Sequence, residues 1–305
     1  MQRFEHSFVA MGGPCRLRID CAEPELAHAA IVAAEAEVHR LERKYSRYLP
    51  DSLTSEINRL AGNSRPVAID EETAGLFNYA QTLWRESDEL FDLTSGVLHR
   101  VWDFKSARPP TQQEIDKVLP LIGWDKIEWD ERTVRLPLAG MELDFGGCVK
   151  EYACDSAASV LRQRGIEHAL VDLSGDMAAL GGRGEGQPWQ IGIRHPAQKN
   201  RAIARIPLAS GGLASSGDYE RCIEFDGQRY GHILNPKTGW PVAGLAAVTV
   251  LADQCLVAGS SATIAMLMPA QEALVWLAGL GIPWLAVDAE LAAHGTVITS
   301  DAAKP

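Results

Sequence analysis

The segment Leu213–Pro241, LASSGDYERCIEFDGQRYGHILNPKTGWP, limits the fold more than any other stretch of the chain. Asp226-Gly227 separates two strand-forming runs, Cys222–Phe225 and Arg229–Ile233, and an Asp-Gly pair accepts the positive φ angles of a two-residue hairpin turn. An antiparallel pair is therefore expected here. The same segment carries Ser215, Ser216, Asp218, Arg221, His232, Asn235, Lys237 and Thr238. Gly217, Gly231 and Gly239 lie among them and let backbone N–H groups turn towards a ligand. A sheet edge made only for packing has no use for so many hydroxyls, charges and a histidine.

The rest of the chain mixes two periods. Cys15, Leu17, Ile19 and Cys21 alternate with Arg16, Arg18 and Asp20, the signature of a half-buried strand. Residues 24–47 switch to helical spacing, with Ile31, Ala34, Val38, Leu41 and Tyr45 on one face. Asp70 is placed to cap a helix through Leu76, Ala80 and Leu83. Glu151–Arg164 predicts a helix ended by Gly165, and Cys255–Met268 and Gln271–Leu280 predict two more. Strands are expected at Ala169–Leu173, Trp189–Arg194, Ala202–Pro207, Val248–Leu251, Trp284–Val287 and Thr296–Thr299. Strands come in hairpins and helices in blocks, so the class is α+β rather than regular βαβ. No linker or fixed-period repeat divides the chain, and residues 1–305 are expected to form a single domain.

Composition narrows the function. A formal charge of -11 disfavours a general nucleic-acid or anionic-membrane surface. No apolar run reaches the roughly 20 residues of a membrane span, and the N-terminal MQRFEHSFVAMGGPC has no apolar signal-peptide core. A cytoplasmic location is expected on that ground, with the periplasmic side open if the N-terminus has been trimmed. The six cysteines form no C-x-x-C pair and no zinc pattern, so buried free thiols are expected. Gly181–Gly186 has the glycines of a phosphate loop but leads into a strand instead of a helix, which predicts a surface turn. In ELDFGGCVKEYACD (142–155), Asp144 is expected to end a strand, Gly146 and Gly147 allow close backbone approach, and Lys150 opens a helix. A cation and free N–H groups there suit a phosphate or a carbonyl-rich ring.

Taken in order, these segments resemble the FAD:protein FMN transferase family, the ApbE-type flavin transferases. The resemblance rests on AMGG (10–13), SRYLPDS with Asn58, FDLTSGVL with Trp102, LDFGGCVKEYACD, DLSGDM (172–177), WQIGIRHP (189–196), SSGDYER (215–221), HILNPKTGWPV (232–242) and AGSSAT (258–263). It implies an ApbE-like, T-fold-like domain of mainly antiparallel sheet and packed helices, with a ligand cleft in the middle. It also implies transfer of FMN from FAD onto a threonine of a partner flavoprotein, with AMP released and Mg²⁺ assisting. Met11, Tyr48, Leu90, Phe91, Asp92, Asp144, Lys150 and Leu234 would line the FAD. Gly147 and Thr263 would hold the metal, and His232, with Asp218 as second candidate, would handle the proton.

One position departs from the pattern. The family segment reads A-D-x-x-x-T, its aspartate being the metal's charged ligand, whereas Gly259 stands here. Asp218 and Asp176 are the candidates to substitute through space, and Gly259→Asp is expected to strengthen metal binding if the backbone tolerates a side chain there. Gly259 also keeps open a flavin-binding scaffold, and an FAD pyrophosphatase would use the same parts with water as nucleophile.

Overall fold

The computed structural model describes residues 1–106, 108–218 and 222–297, with side chains throughout except at 199 and 200. Strands β1 (Gln2–Ala10) and β2 (Gly13–Cys21) lead into helices α1 (Pro24–Tyr45) and α2 (Leu53–Arg59). After the short strand β3 (Val67–Ala68) comes α3 (Glu71–Glu86), whose N-cap Asp70 accepts the Thr73 N–H at 3.0 Å. Helix α4 (Gln112–Val118) opens on a reciprocal Thr111–Glu114 cap. Strands β4 (Glu128–Trp129) and β5 (Thr133–Arg135) join β3 in a small sheet.

Helix α5 (Val149–Gln163) ends as expected at Gly165, whose φ of 84° continues into two capping bonds, Gly165 N–H to Arg162 O and Ile166 N–H to Leu161 O. Then follow β6 (Ala169–Leu173), β7 (Asp176–Leu180), β8 (Trp189–His195), β9 (Gln198–Leu208) and β10 (Gly211–Gly217). The hairpin β11 (Cys222–Phe225) and β12 (Gln228–Gly231) precedes β13 (Ala247–Ala252). Helices α6 (Cys255–Leu267) and α7 (Ala270–Gly279) and strands β14 (Trp284–Val287) and β15 (Ala293–Gly295) complete the described chain. The strand expected over Thr296–Thr299 lies partly outside the described residues, as does Arg221.

Eight strands form one sheet in the order β1-β2-β6-β7-β10-β13-β14-β15, every neighbouring pair antiparallel. The period of two sorts its faces. Ala169, Val171 and Leu173 of β6 point into the main core with α1, α5 and α6, while Leu170 joins Ala179, Leu213 and Leu285 under the β8–β9 hairpin. The sheet is thus sandwiched between helices and a two-stranded flap, in the α+β architecture expected. Two of its turns are Met11-Gly12 (φ 52° and 77°) and Ser174-Gly175 (57° and 99°), the same positive pairing that Asp226-Gly227 adopts in β11–β12. A third cluster, built on Val97, Leu98, Trp102, Ile115 and Ile223, packs the 93–102 turn and α4 against Tyr230, Leu234 and Trp240.

All six cysteines are free thiols, with Cys15, Cys148, Cys154 and Cys255 buried. Gly181–Gly186 forms a turn between β7 and β8, as expected. Among the described residues no helix is long and apolar enough to cross a membrane.

Candidate active site

Asp144 does not end a strand. It caps a short 3-10 turn, Phe145–Gly147, through the Gly146 N–H (2.8 Å), because two successive glycines favour a tight turn over an extended ladder. That turn feeds α5, whose first residues include Lys150 and Glu151. The Ser174-Gly175 turn sets Asp176 at the start of β7, where its Oδ2 lies 2.7 Å from Lys150 Nζ. Asp176 Oδ1 accepts the Ser215 N–H at 3.3 Å, Ser215 Oγ shares a hydrogen bond with Thr249 Oγ1 (2.8 Å), and Ser216 Oγ one with Thr263 Oγ1 (3.2 Å). Lys150, Asp176, Ser216 and Thr263 thus lie where α5, β7, β10 and α6 converge, while the Ser215 and Thr249 hydroxyls share the opposite face of the sheet with Leu213. Burial pulls the Lys150 pKa down, but Asp176 and Glu151 outweigh it and the net direction is up.

Asp218 follows directly on β10. Its Oδ2 takes Arg229 Nη1 at 2.7 Å and its carbonyl takes Nη2, while Oδ1 is buried with no hydrogen-bond partner. Gly231 lies against it: a Cβ there would sit 3.3 Å from the Asp218 Cβ. The next residue, His232, meets the Phe104 ring edge-on, centroids 6.4 Å apart. The loop beyond closes on itself, with Asn235 Oδ1 accepting the Lys237 N–H (2.8 Å) and Asn235 O the Gly239 N–H (2.8 Å). Trp102 Nε1 donates to Gly239 O at 2.7 Å. Gly239 has φ 72°, and a Cβ would come within 2.4 Å of Ile115, so only glycine fits.

Among the residues expected to line FAD, Phe91, Asp92 and Asp144 lie on adjoining segments. Phe91 packs on Gly147, where a Cβ would be 3.2 Å from the ring. Asp92 is buried, with Oδ1 taken by Thr94 N–H and hydroxyl and Oδ2 by the Trp124 N–H; burial raises its pKa. Its carboxylate therefore clamps the loop. The Asp144 N–H donates to Leu93 O (2.8 Å), and Asp144 Oδ2 accepts Arg47 Nη1 (3.0 Å). Arg47 also binds Glu142 (2.7 Å) and lies 5.8 Å from the ring centre of Tyr48, which is 82% exposed. Leu90 follows two left-handed residues, Asp88 and Glu89, whose carboxylates lie 3.6 Å from Lys237 Nζ. Leu234, bridged to Pro241, belongs to the same cluster as Val97 and Leu98. Met11 lies in the β1–β2 turn with its N–H on Glu42 Oε1 (2.6 Å), next to the Ser174-Gly175 turn that leads into Asp176.

Gly259 is buried in α6, and the residue facing it was not among those singled out from sequence. A Cβ at 259 would lie 2.4 Å from Glu151 Cγ and 2.9 Å from its Cδ and Oε1. The condition attached to Gly259→Asp, room for a side chain, is not met while Glu151 fills that space. Asp176 and Asp218, the candidates for a substitute carboxylate, are already ion-paired with Lys150 and Arg229. Glu151 is 7% exposed and its Oε2 has no hydrogen-bond partner; burial first, then Asp176, push its pKa well up against the pull of Lys150. A signal for Glu151 was present: it shares the i, i+3, i+7 face of α5 with buried Cys154 and Ala158. Arg47, which ties Glu142, Asp144 and Gly96 together, carried no comparable signal.

A hollow of about 500 Å³ on α1 and α5, lined by Ala33, Arg40 and Gln163 among others, shares no residue with this cluster. The comparisons with known proteins point back to the cluster's own segments. A sequence profile of the ApbE family matches residues 11–285. The FAD:protein FMN transferase of Haemophilus influenzae is 31% identical over 240 residues, covering 75% of this chain and 69% of that protein. Among solved structures, the ApbE protein of Thermotoga maritima superposes with a TM-score of 0.88 at 29% identity over 97% of both chains. The apo form of the Pseudomonas stutzeri flavinyl transferase ApbE gives 0.86 at 27% identity, over 97% of this chain and 95% of that one.

Proposed function

The chain belongs to the ApbE family, and from that membership we propose that it is an FAD:protein FMN transferase acting on a threonine of a partner flavoprotein. The acceptor hydroxyl oxygen bonds to the FMN phosphorus, the phosphoanhydride bond to AMP breaks, and the hydroxyl proton passes to a base. What carries this reading is the family match over residues 11–285, with Asp218 packed against Gly231 directly before His232 and Ser216 of β10 hydrogen-bonded to Thr263. His232 would orient and deprotonate the acceptor, and Asp218, against the preceding glycine, would be the second candidate. Lys150 and the N-terminal turn of α5 would add positive potential at the pyrophosphate. Tyr48, Phe91, Leu90 and Leu234 would flank the flavin, with Met11, Asp92 and Asp144 framing the cleft.

The reading calls for Mg²⁺, and the local donors fit it. Among the described residues no three His, Cys, Asp or Glu gather as a metal cluster. The Thr263 and Ser216 hydroxyls share a hydrogen bond of 3.2 Å, and one turn before Thr263, at Gly259, lies the Glu151 side chain with its partnerless Oε2; such oxygens are hard donors suited to this cation. The Gly147 carbonyl and the Thr263 hydroxyl would hold the ion. When bound, it supplies charge neutralisation at the pyrophosphate. With so few anionic ligands from the protein, Mg²⁺ should bind better with FAD than without it.

Incubation with FAD, Mg²⁺ and a threonine-containing acceptor tests the proposal. Intact mass should show the acceptor gaining FMN less water, with AMP appearing in step. Release of FMN and AMP with no change in acceptor mass would instead support the pyrophosphatase, and FAD binding with no products the scaffold.

A further inference from the structure

Glu151 lies in the first turn of α5, and Gly259 and Thr263 are four residues apart in α6, on one face of that helix. The two segments come together at the 151–259 pair, where the glycine leaves room for the glutamate: a Cβ at 259 would overlap Glu151 Cγ at 2.4 Å. Glu151 crosses from α5 into the volume that a side chain on α6 would fill. Its residue is 7% exposed and Oε2 is buried with no hydrogen-bond partner. A buried carboxylate oxygen left unsatisfied costs free energy, so such atoms commonly mark an absent ion or water.

We infer that Glu151 supplies the metal-facing carboxylate that Gly259 does not, so that the anionic ligand of the site has moved from α6 to α5. The two positions are complementary: a small residue on one helix is required by the long acidic side chain on the other. The inference rests on the proposed transferase reading, because that reading is what calls for a cation here. It predicts that 151 and 259 are coupled. An aspartate at 259 should be tolerated, and useful, only when the glutamate is shortened.

The test is a double-mutant cycle read by Mn²⁺ binding in the presence of FAD, followed by electron paramagnetic resonance, together with thermal unfolding of each full-length variant. Mn²⁺ serves as the spectroscopic probe for Mg²⁺. Glu151→Gln keeps the shape and removes the charge, and it should weaken Mn²⁺ binding by at least about tenfold, the lower end of what even outer-shell changes cost. Gly259→Asp alone should lower the unfolding temperature without tightening Mn²⁺ binding, because its side chain meets Glu151. Combining Glu151→Ala with Gly259→Asp should recover most of both losses. Wild-type Mn²⁺ affinity in Glu151→Gln, or no recovery in the double variant relative to Glu151→Ala, overturns the exchange while leaving the transferase reading standing. If wild type binds FAD but no Mn²⁺, both fall.

Discussion

Beyond its proposed place at the pyrophosphate, Lys150 has a structural part, because its ammonium lies 2.7 Å from a nearly buried Asp176. Lys150→Ala should weaken FAD binding and also leave the Asp176 charge without a partner, at a cost of about 2–3 kcal/mol given the partial exposure of the lysine. Adding Asp176→Asn should return much of that stability but not the FAD affinity, as read by denaturant unfolding and flavin fluorescence titration. His232 predicts the opposite division. His232→Ala should slow FMN transfer by about 10²–10⁴-fold, the usual contribution of a positioned acid or base, with FAD affinity little changed. Transfer at the wild-type rate would reduce the histidine to a wall of the cleft and leave Asp218 as the base.

Among the elements, the 232–242 loop depends on one indole. Trp102→Phe keeps a ring in the Ile115 and Ile223 cluster but removes the 2.7 Å donation to Gly239 O. The loop should lose about 1–2 kcal/mol of local stability, seen as faster amide exchange across 232–241 with little change elsewhere. Elements of this kind were partly legible in the sequence. The Asp226-Gly227 hairpin, the Asp70 cap, the Gly165 stop and the inward face of α1 follow from turn chemistry and period, which are local. Asp144 was misread because a strand-like run and a capped 3-10 turn look alike until the glycines commit the backbone. Glu151 was missed for a different reason. The face it shares with Cys154 and Ala158 signals only that it is buried; what it faces is set by what α6 lacks at 259, a position too far along the chain to enter that period. Asp92 was found but its carboxylate faces inward, onto Thr94 and Trp124.

For the molecule as a whole, acid should unfold the helical side through Glu72. Its hydrogen bonds from Arg40, with Lys44 adding to them, hold its carboxyl down at about 2, below the usual 4.5. A depressed carboxylate contributes stability above its unfolded pKa and loses it as pH falls through the folded one. Stability should therefore drop between about pH 5 and 2, and Glu72→Gln, at a cost of about 2 kcal/mol near neutrality, should flatten that limb in urea titrations. Raised pKa values at Asp92 and Asp155 act with the other sign, above the ordinary carboxylate range. The large sheet carries a separate consequence. Its strand order, β1-β2-β6-β7-β10-β13-β14-β15, never runs backwards along the chain. Each strand leaving the ribosome finds its partner already made and docks on the edge that its predecessor left open, so no later strand has to wedge between two finished ones. Assembly can follow synthesis from the first hairpin to the last, and a chain stalled before β13 would present β10 as a bare edge, the point at which nascent chains would pair with one another.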